Sequence, residues 1–311
     1  MQIYLPIAEM SLNLFFLMGI GGAVGFLSGL FGVGGGFLLT PLLIFVGIPA
    51  PVAVASVTGQ VVAASTSSVI SYRRRGNIDF KLAGFLAVAG VVGAFFGVMT
   101  FSALQSGGQL DLVISLGYLA FLGSIGSLML VESARAIIRR RAGGSPVREK
   151  LPGQHNWVHG LPLRVRFHRS RLYISVLPVI GIGLFIGFVG AVLGIGGGFI
   201  LVPALIYILR VPGSVVIGTS LVQVLAIMAA STLLHAINSQ SVDIILAFSL
   251  MVGGVIGAQF GASAGQHLRG EQLRALLALI ILSVAIRFAV SLLVTPSNPF
   301  SMALLGPGGG A

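Results

Sequence analysis

Two stretches of the chain carry residues whose type and spacing suit ion binding: "FGVGGGFLLTP" at 31–41 and "LGIGGGFILVP" at 193–203. Each glycine in a helix costs about 1 kcal/mol against alanine, so three in a row mark a break inside apolar sequence. A half-helix that starts at such a break presents free N–H groups and the positive end of its dipole. Glycine also lets the backbone turn tightly and approach a ligand closely. Gly34, Gly35, Gly36 and their counterparts Gly196, Gly197, Gly198 are therefore read as two elements of one anion site. Pro41 and Pro203 are expected to limit the short arm that follows each break. Polar residues in the next apolar run of each half are candidate partners: Ser56, Thr58 and Gln60 in "ASVTGQ", and Thr219, Ser220 and Gln223 in "GTSLVQ". A glutamine buried in a membrane must find hydrogen bonds, either with a solute or with a neighbouring helix. Arg287 is the one clear charge inside an apolar run, a fixed cation beside an anion path or a side chain snorkelling to an interface.

Other chemistries lack their residues. The chain has no cysteine, which removes thiolate nucleophiles, thiolate metal sites and disulfides. Its seven acidic residues include no pair within an apolar run, so a membrane enzyme with paired carboxylates is not supported, and no cofactor is implied. No "GxxxxGK" stretch occurs that would bind ATP for a pump. Asp79 and Asp243 each precede an apolar run, where helix N-capping explains them more simply than proton relay. His235 ends a run and is expected at an interface. In "HNWVH", His155, Trp157 and His159 have no carboxylate or cysteine nearby, and with His168 they read as an interfacial loop and not a metal site.

The elements that must hold these residues are membrane helices. Of 311 residues 56% are hydrophobic and only 8% charged, far below the roughly one quarter of soluble domains, and the mean hydropathy is +1.05. Apolar runs fall at about 12–31, 37–48, 52–72, 82–103, 111–131, 174–193, 199–209, 214–236, 244–264 and 273–294. Most reach the roughly 20 residues that span a bilayer, but the two after the glycines do not. "MQIYLPIAEM" has no basic segment and reads as part of the first membrane element. The net charge of +11 does not point to nucleic acid, because ten of eighteen basic residues lie between Arg135 and Arg171, in a proline- and glycine-broken linker. Such a segment beside a membrane attracts anionic lipid head groups.

The chain repeats itself. A shift of 162 lays Gly25, Gly34, Gly36, Phe37 and Pro41 on Gly187, Gly196, Gly198, Phe199 and Pro203, and with single insertions Gln60 falls on Gln223 and Asp79 on Asp243. "GVVGAFFG" at 90–97 falls on "GVIGAQFG" at 254–261, and its small residues at four-residue spacing are read as helix packing. The expected organisation is a first repeat at 1–132, a basic cytoplasmic linker at 133–172, a second repeat at 173–295 and a flexible tail at 296–311. If each glycine triplet is the tip of a re-entrant hairpin followed by three spans, the second copy is inverted, and Arg210, Arg269 and Arg274 join the linker on the cytoplasmic side. Inverted repeats with discontinuous helices are a recurrent plan for secondary transporters. The expected fold is thus an all-α polytopic membrane protein.

"GFLSGLFGVGGGFLLTPLL" and "GFVGAVLGIGGGFILVPALI", duplicated in a chain of about 300 residues with a basic central loop, resemble the sulfite exporter TauE/SafE family of membrane permeases. The resemblance implies a multi-pass transporter of the bacterial inner (plasma) membrane that moves a small sulfur-containing anion, such as sulfite or an organosulfonate. Glycine, proline and aliphatic motifs do not separate sulfite from sulfonate or carboxylate. An anion channel of the same architecture and a permease for a non-sulfur organic acid stay open, as do the coupling ion and the direction of transport.

Overall fold

A computed structural model describes residues 2–31, 34–74, 76–141, 164–167, 169–170, 172–209, 211, 213–264 and 270–293. Gly32, the "HNWVH" segment, His168, Arg210, Arg269 and the tail at 296–311 lie outside the described residues. Among the described residues ten α-helices fall where the ten apolar runs lie: α1 (Leu14–Phe31), α2 (Gly36–Phe45), α3 (Ala50–Arg74), α4 (Phe80–Ser106), α5 (Leu110–Arg141), α6 (Val176–Leu193), α7 (Gly198–Tyr207), α8 (Gly213–Leu234), α9 (Ile244–Ala264) and α10 (Gly270–Leu293). Hydrocarbon offers no hydrogen-bond partners, and helices pair their own backbone groups, so long aliphatic runs take this form. Among the described residues eight helices are long and apolar enough to cross a membrane. The two that begin at the glycine triplets, α2 and α7, have ten residues each, about 15 Å, half the thickness of the hydrocarbon core.

Each half also begins with a β-hairpin. β1 (Gln2–Leu5) pairs antiparallel with β2 (Met10–Asn13), and β3 (Arg164–Phe167) with β4 (Leu172–Ser175). The N-terminal segment is therefore not the start of the first membrane helix as expected. Its alternation of exposed and sheltered residues, with a turn at residues 6–9, gives strand pairing on the surface of the bundle. The stretch expected as linker contributes structure at both ends. α5 runs on to Arg141, about 48 Å of helix, and β3 and β4 precede α6. The order β-β-α-α-α-α-α occurs twice.

Glycines bring the helices of the two halves into backbone contact. A Cβ on Gly21 of α1 would sit 2.7 Å from the Leu250 carbonyl oxygen of α9, one on Gly25 would meet Gly254, and one on Gly29 would meet Ala258. The register advances in the same direction on both helices, so α1 and α9 run parallel. The mirror pair does the same: Gly183 of α6 faces Leu86 of α4, Gly187 faces Gly90, and Gly97 of α4 faces Phe188. By contrast α3 and α8, which match each other in sequence, run antiparallel. Thr58 near the start of α3 meets Thr232 near the end of α8, and Gly218 near the start of α8 packs against Asn77 just beyond α3. Gly47, past the end of α2, lies beside Met10 ahead of α1, so α2 comes back toward the end of the bundle from which α1 departs.

Two aspartates tie the ends together by the same pattern of bonds. Asp79 caps α4, accepting from the Leu82 N–H at 3.1 Å, and its other oxygen accepts from the Ser170 N–H at 3.0 Å and the Ser170 hydroxyl at 2.8 Å. Asp243 caps α9, accepting from Leu246 N–H at 3.1 Å and from Ile7 N–H at 3.0 Å. Their own N–H groups donate across the halves, Asp79 to the Thr219 hydroxyl at 3.1 Å and Asp243 to the Ser56 hydroxyl at 2.9 Å. With every carboxylate oxygen receiving a donor, capping accounts for both aspartates.

Candidate functional site

The two glycine breaks meet at the centre of the bundle. α2 and α7 start at Gly36 and Gly198, and neither has a side chain capping its N-terminus. A Cβ on Gly36 would lie 3.1 Å from the Ile195 carbonyl carbon, and one on Gly196 would lie 3.6 Å from the Gly34 carbonyl oxygen, so the loops touch backbone to backbone. Gly34 and Gly196 share a left-handed backbone, φ +75° and +78°, which a side chain would strain. The rings of Phe37 and Phe199, one residue into each half-helix, stack at 5.0 Å and 9°. The copies then diverge. Gly35 stays right-handed at φ −44° and donates its N–H to the Ser28 hydroxyl at 2.8 Å, while Gly197 is left-handed at φ +71°.

Pro41 and Pro203 sit inside the half-helices, with four residues following each, and do not end them as expected. A proline at the sixth position has no N–H for the carbonyl four residues back, which here belongs to Phe37 and Phe199. The helices end later, with Val46 N–H bonding back to the carbonyls of Leu42 and Leu43, and Ile208 N–H to that of Ala204.

Two valines pack on the loops, and each follows a glutamine. Val61 and Val224 each touch both glycine breaks, and the residues preceding them are Gln60 and Gln223. Both glutamines are fully buried, and among the described residues neither the amide nitrogen nor the carbonyl oxygen of either has a partner. A buried polar atom without a partner costs about 1–3 kcal/mol, so two whole amides left open are an exception that calls for a reason. Ser65 and Ser231 are likewise buried with unpartnered hydroxyls, and Ser65 Oγ would lie 3.8 Å from a Cβ on Gly34. Residue type alone did not mark Ser65, Val61 or Val224; the repeat register, which pairs Val61 with Val224, could have found the valines.

The remaining candidates have protein partners. Thr58 donates to the Ala55 carbonyl at 2.6 Å and lies 2.9 Å from the Thr232 hydroxyl. Thr219 receives the Asp79 N–H, and Ser220 donates to Ile217 at 2.9 Å. Arg287 is exposed on α10, its guanidinium carbon 5.4 Å from the ring centre of Phe45, at the far end of α2 from the glycines. His235, expected at an interface, is enclosed by protein. It is fully buried in a π-helical turn, His235–Ser239, with Nε2 3.1 Å from the Ala191 carbonyl and its ring edge-on to Phe101. Packing of α4 and α6 over the end of α8, which local sequence does not encode, encloses it.

Among the described residues the buried carboxylates are Asp79 and Asp243, at the helix starts, and no Lys or Arg is buried. The centre thus offers dipoles in place of full charges: amide groups, hydroxyls and two half-helix N-termini, each worth about half a positive charge. Such a set suits a small solute bearing acceptor oxygens.

A family model described as Sulfite exporter TauE/SafE matches residues 17–288. The chain belongs to this family. A probable membrane transporter protein of Xylella fastidiosa is 32% identical over 282 residues, covering 88% of this chain and 94% of the relative. The probable membrane transporter protein YjnA of Bacillus subtilis is 29% identical over 269 residues, 86% and 95% of the two chains. A probable membrane transporter protein of Methanocaldococcus jannaschii is 24% identical over 287 residues, 88% and 94%. No solved structure matches the chain. This TauE/SafE protein is an integral multi-pass membrane transporter, not an enzyme, and the family match spans both glycine breaks.

Proposed function

We propose that this TauE/SafE transporter moves a small sulfur-containing oxyanion, sulfite or an organosulfonate, across the bacterial plasma membrane by alternating access. The observation that carries the reading is the pair of open glutamine amides, Gln60 and Gln223, each one residue before a valine that packs on the glycine breaks where two uncapped half-helices meet. The proposed binding set is Gly34, Gly35, Gly36, Gly196, Gly197 and Gly198 with Gln60 and Gln223. Thr58, Thr219 and Ser220 brace it through the contacts described above, and Arg287 lies outside it.

The reading includes an inverted arrangement of the halves, with α1–α2 and α6–α7 as re-entrant hairpins. Two features support it: α3 and α8 match in sequence yet run antiparallel, and α2 turns back toward the start of α1. In this arrangement the residues at 133–172 face the cytoplasm, where their basic side chains meet anionic lipid head groups. Rocking of one half against the other about the central site then exposes it to each side in turn.

Thermal unfolding of the detergent-solubilised protein tests the reading against sulfite, thiosulfate, taurine, sulfoacetate, acetate and chloride at fixed ionic strength. A ligand at about 100 times its Kd adds roughly 2.7 kcal/mol to the folded state. A rise with sulfur oxyanions that is lost in Gln60→Ala and Gln223→Ala supports it. A rise with acetate alone moves the substrate to carboxylates, and a flat response to every anion overturns it. Saturable exchange of labelled substrate in proteoliposomes separates a transporter from a channel, whose flux follows the gradient without exchange.

A further inference from the structure

The matched stretches "GVVGAFFG" and "GVIGAQFG" divide into two groups by what their glycines face. Gly93, Gly97, Gly257 and Gly261 lie against helix backbone, of α6 in the first stretch and of α1 in the second, as small packing residues should. Gly254 does not. The three atoms nearest to a Cβ built on it all belong to one side chain, Gln60 of α3: Nε2, then Cδ at 3.1 Å and Cγ at 3.2 Å. Gly90 takes the equivalent place over Gln223, whose Nε2 would lie 3.4 Å from its Cβ, although Ile227 comes closer, with Cδ1 at 2.5 Å and Cγ1 at 2.7 Å.

We infer that Gly254 and Gly90 are positioning residues of the binding site, bare backbone surfaces that leave room for the amides of Gln60 and Gln223 and keep them open to an oxyanion. The inference rests on the proposed function, because it needs the two amides to bind solute. Each is fully buried and unpartnered, so its orientation is set by the surface it rests on and not by hydrogen bonds. A methyl group at 254 occupies the volume of the Gln60 Nε2 and Cδ and forces the amide to a different rotamer. α1 approaches this level through Gly25, whose own Cβ direction meets the Gly254 backbone. The three atoms nearest to a Cβ on Gly254 itself belong to Gln60 and not to α1, so its bareness serves the glutamine.

The test is a double-substitution cycle on the full-length protein, with sulfite as the probe. Gly254→Ala is expected to weaken sulfite binding at least tenfold, and to add nothing in a Gln60→Ala background, because the methyl acts only through the amide. Gly90→Ala is expected to follow the same pattern with Gln223→Ala but more weakly on affinity and more strongly on stability, since its methyl meets Ile227 first. Gly257→Ala is the packing control: its Cβ meets the α1 backbone, with Phe26 N at 2.8 Å, and its loss of stability is expected to be the same with or without Gln60.

Ligand-free melting gives a second readout. If Gly254→Ala lowers the melting temperature, Gln60→Ala is expected to restore it in the double variant, because the removed side chain is the one obstructed. Failure of the double variant to fold, or a melting loss that Gln60→Ala does not relieve, assigns Gly254 to helix packing and overturns the inference. Unchanged sulfite affinity in Gly254→Ala while Gln60→Ala abolishes binding also overturns it and leaves the proposed function standing. Unchanged affinity in Gln60→Ala overturns the proposed function itself, and the ligand-free melting cycle still decides whether Gly254 holds the amide.

Discussion

Removing the Asp243 carboxylate is a direct test of how the surface hairpins are held. In Asp243→Ala the α9 N-terminus loses its cap, a cost of about 0.5–2 kcal/mol, and the Ile7 N–H loses a charged acceptor, about 1.5–3 kcal/mol. Together these come to about 2–5 kcal/mol. The bond from the Asp243 N–H to Ser56 belongs to the backbone and survives. The two losses appear in different places, which hydrogen exchange separates. At about 1.4 kcal/mol per tenfold, the Ile7 amide is expected to exchange about 10–150 times faster, with residues 2–13 loosened as a unit and the first turn of α9 less so. Asp243→Asn keeps one acceptor oxygen and is expected to lose only part of this protection. Asp79→Ala removes three bonds, so it loosens residues 164–175 to a greater extent and leaves residues 2–13 untouched. Unchanged exchange over residues 2–13 in Asp243→Ala, with the protein otherwise folded, would refute the claim that this carboxylate ties the hairpin to the bundle.

Tyr118→Phe removes the hydroxyl that donates to the Leu193 carbonyl at 2.7 Å; an unsatisfied carbonyl at the end of α6 is expected to cost about 1–3 kcal/mol, read as a lower melting temperature. Gly93→Val places a branched side chain where even a Cβ would lie 2.9 Å from the Leu184 carbonyl carbon; the two backbones must part, a loss of about 4 kcal/mol or more, and folded protein is expected to fall sharply in membrane fractions. Gly123→Ala, with nothing within 4 Å of its Cβ, is expected to accumulate and transport normally. Arg287→Gln, exposed and remote from the glycine loops, is expected to change substrate affinity by no more than about twofold, measured by binding or uptake.

Much of the architecture was legible because membrane helices are written locally. An apolar run must satisfy its backbone within itself, so its length states whether it crosses, and the helices lie within a few residues of the runs read from sequence, except that α5 runs ten residues past its run to Arg141. The capping role of Asp79 and Asp243 was legible for the same reason, since a cap is a contact three residues away. The β-hairpins were not, because four-residue strands carry too little pattern to stand out beside apolar helices. Nor was the burial of His235, which depends on α4 and α6 closing over it.

The sequence by itself determined that the chain lives in a membrane, that it is doubled, and that each copy breaks a helix at three glycines. Those are consequences of composition and spacing, and they hold however the helices are arranged. Only the tertiary structure decided what each glycine faces. It brought Gly34 and Gly196 together, and it set Gly254 against Gln60 while setting Gly257 against the backbone of α1. It also separated Arg287 from the centre and gave Thr58, Thr219 and Ser220 to protein partners, while Gln60 and Gln223 stayed open. The physical reason is that a hydrogen bond or a steric contact between residues more than a hundred positions apart depends on helix rotation and register, which interhelical packing sets and local sequence does not.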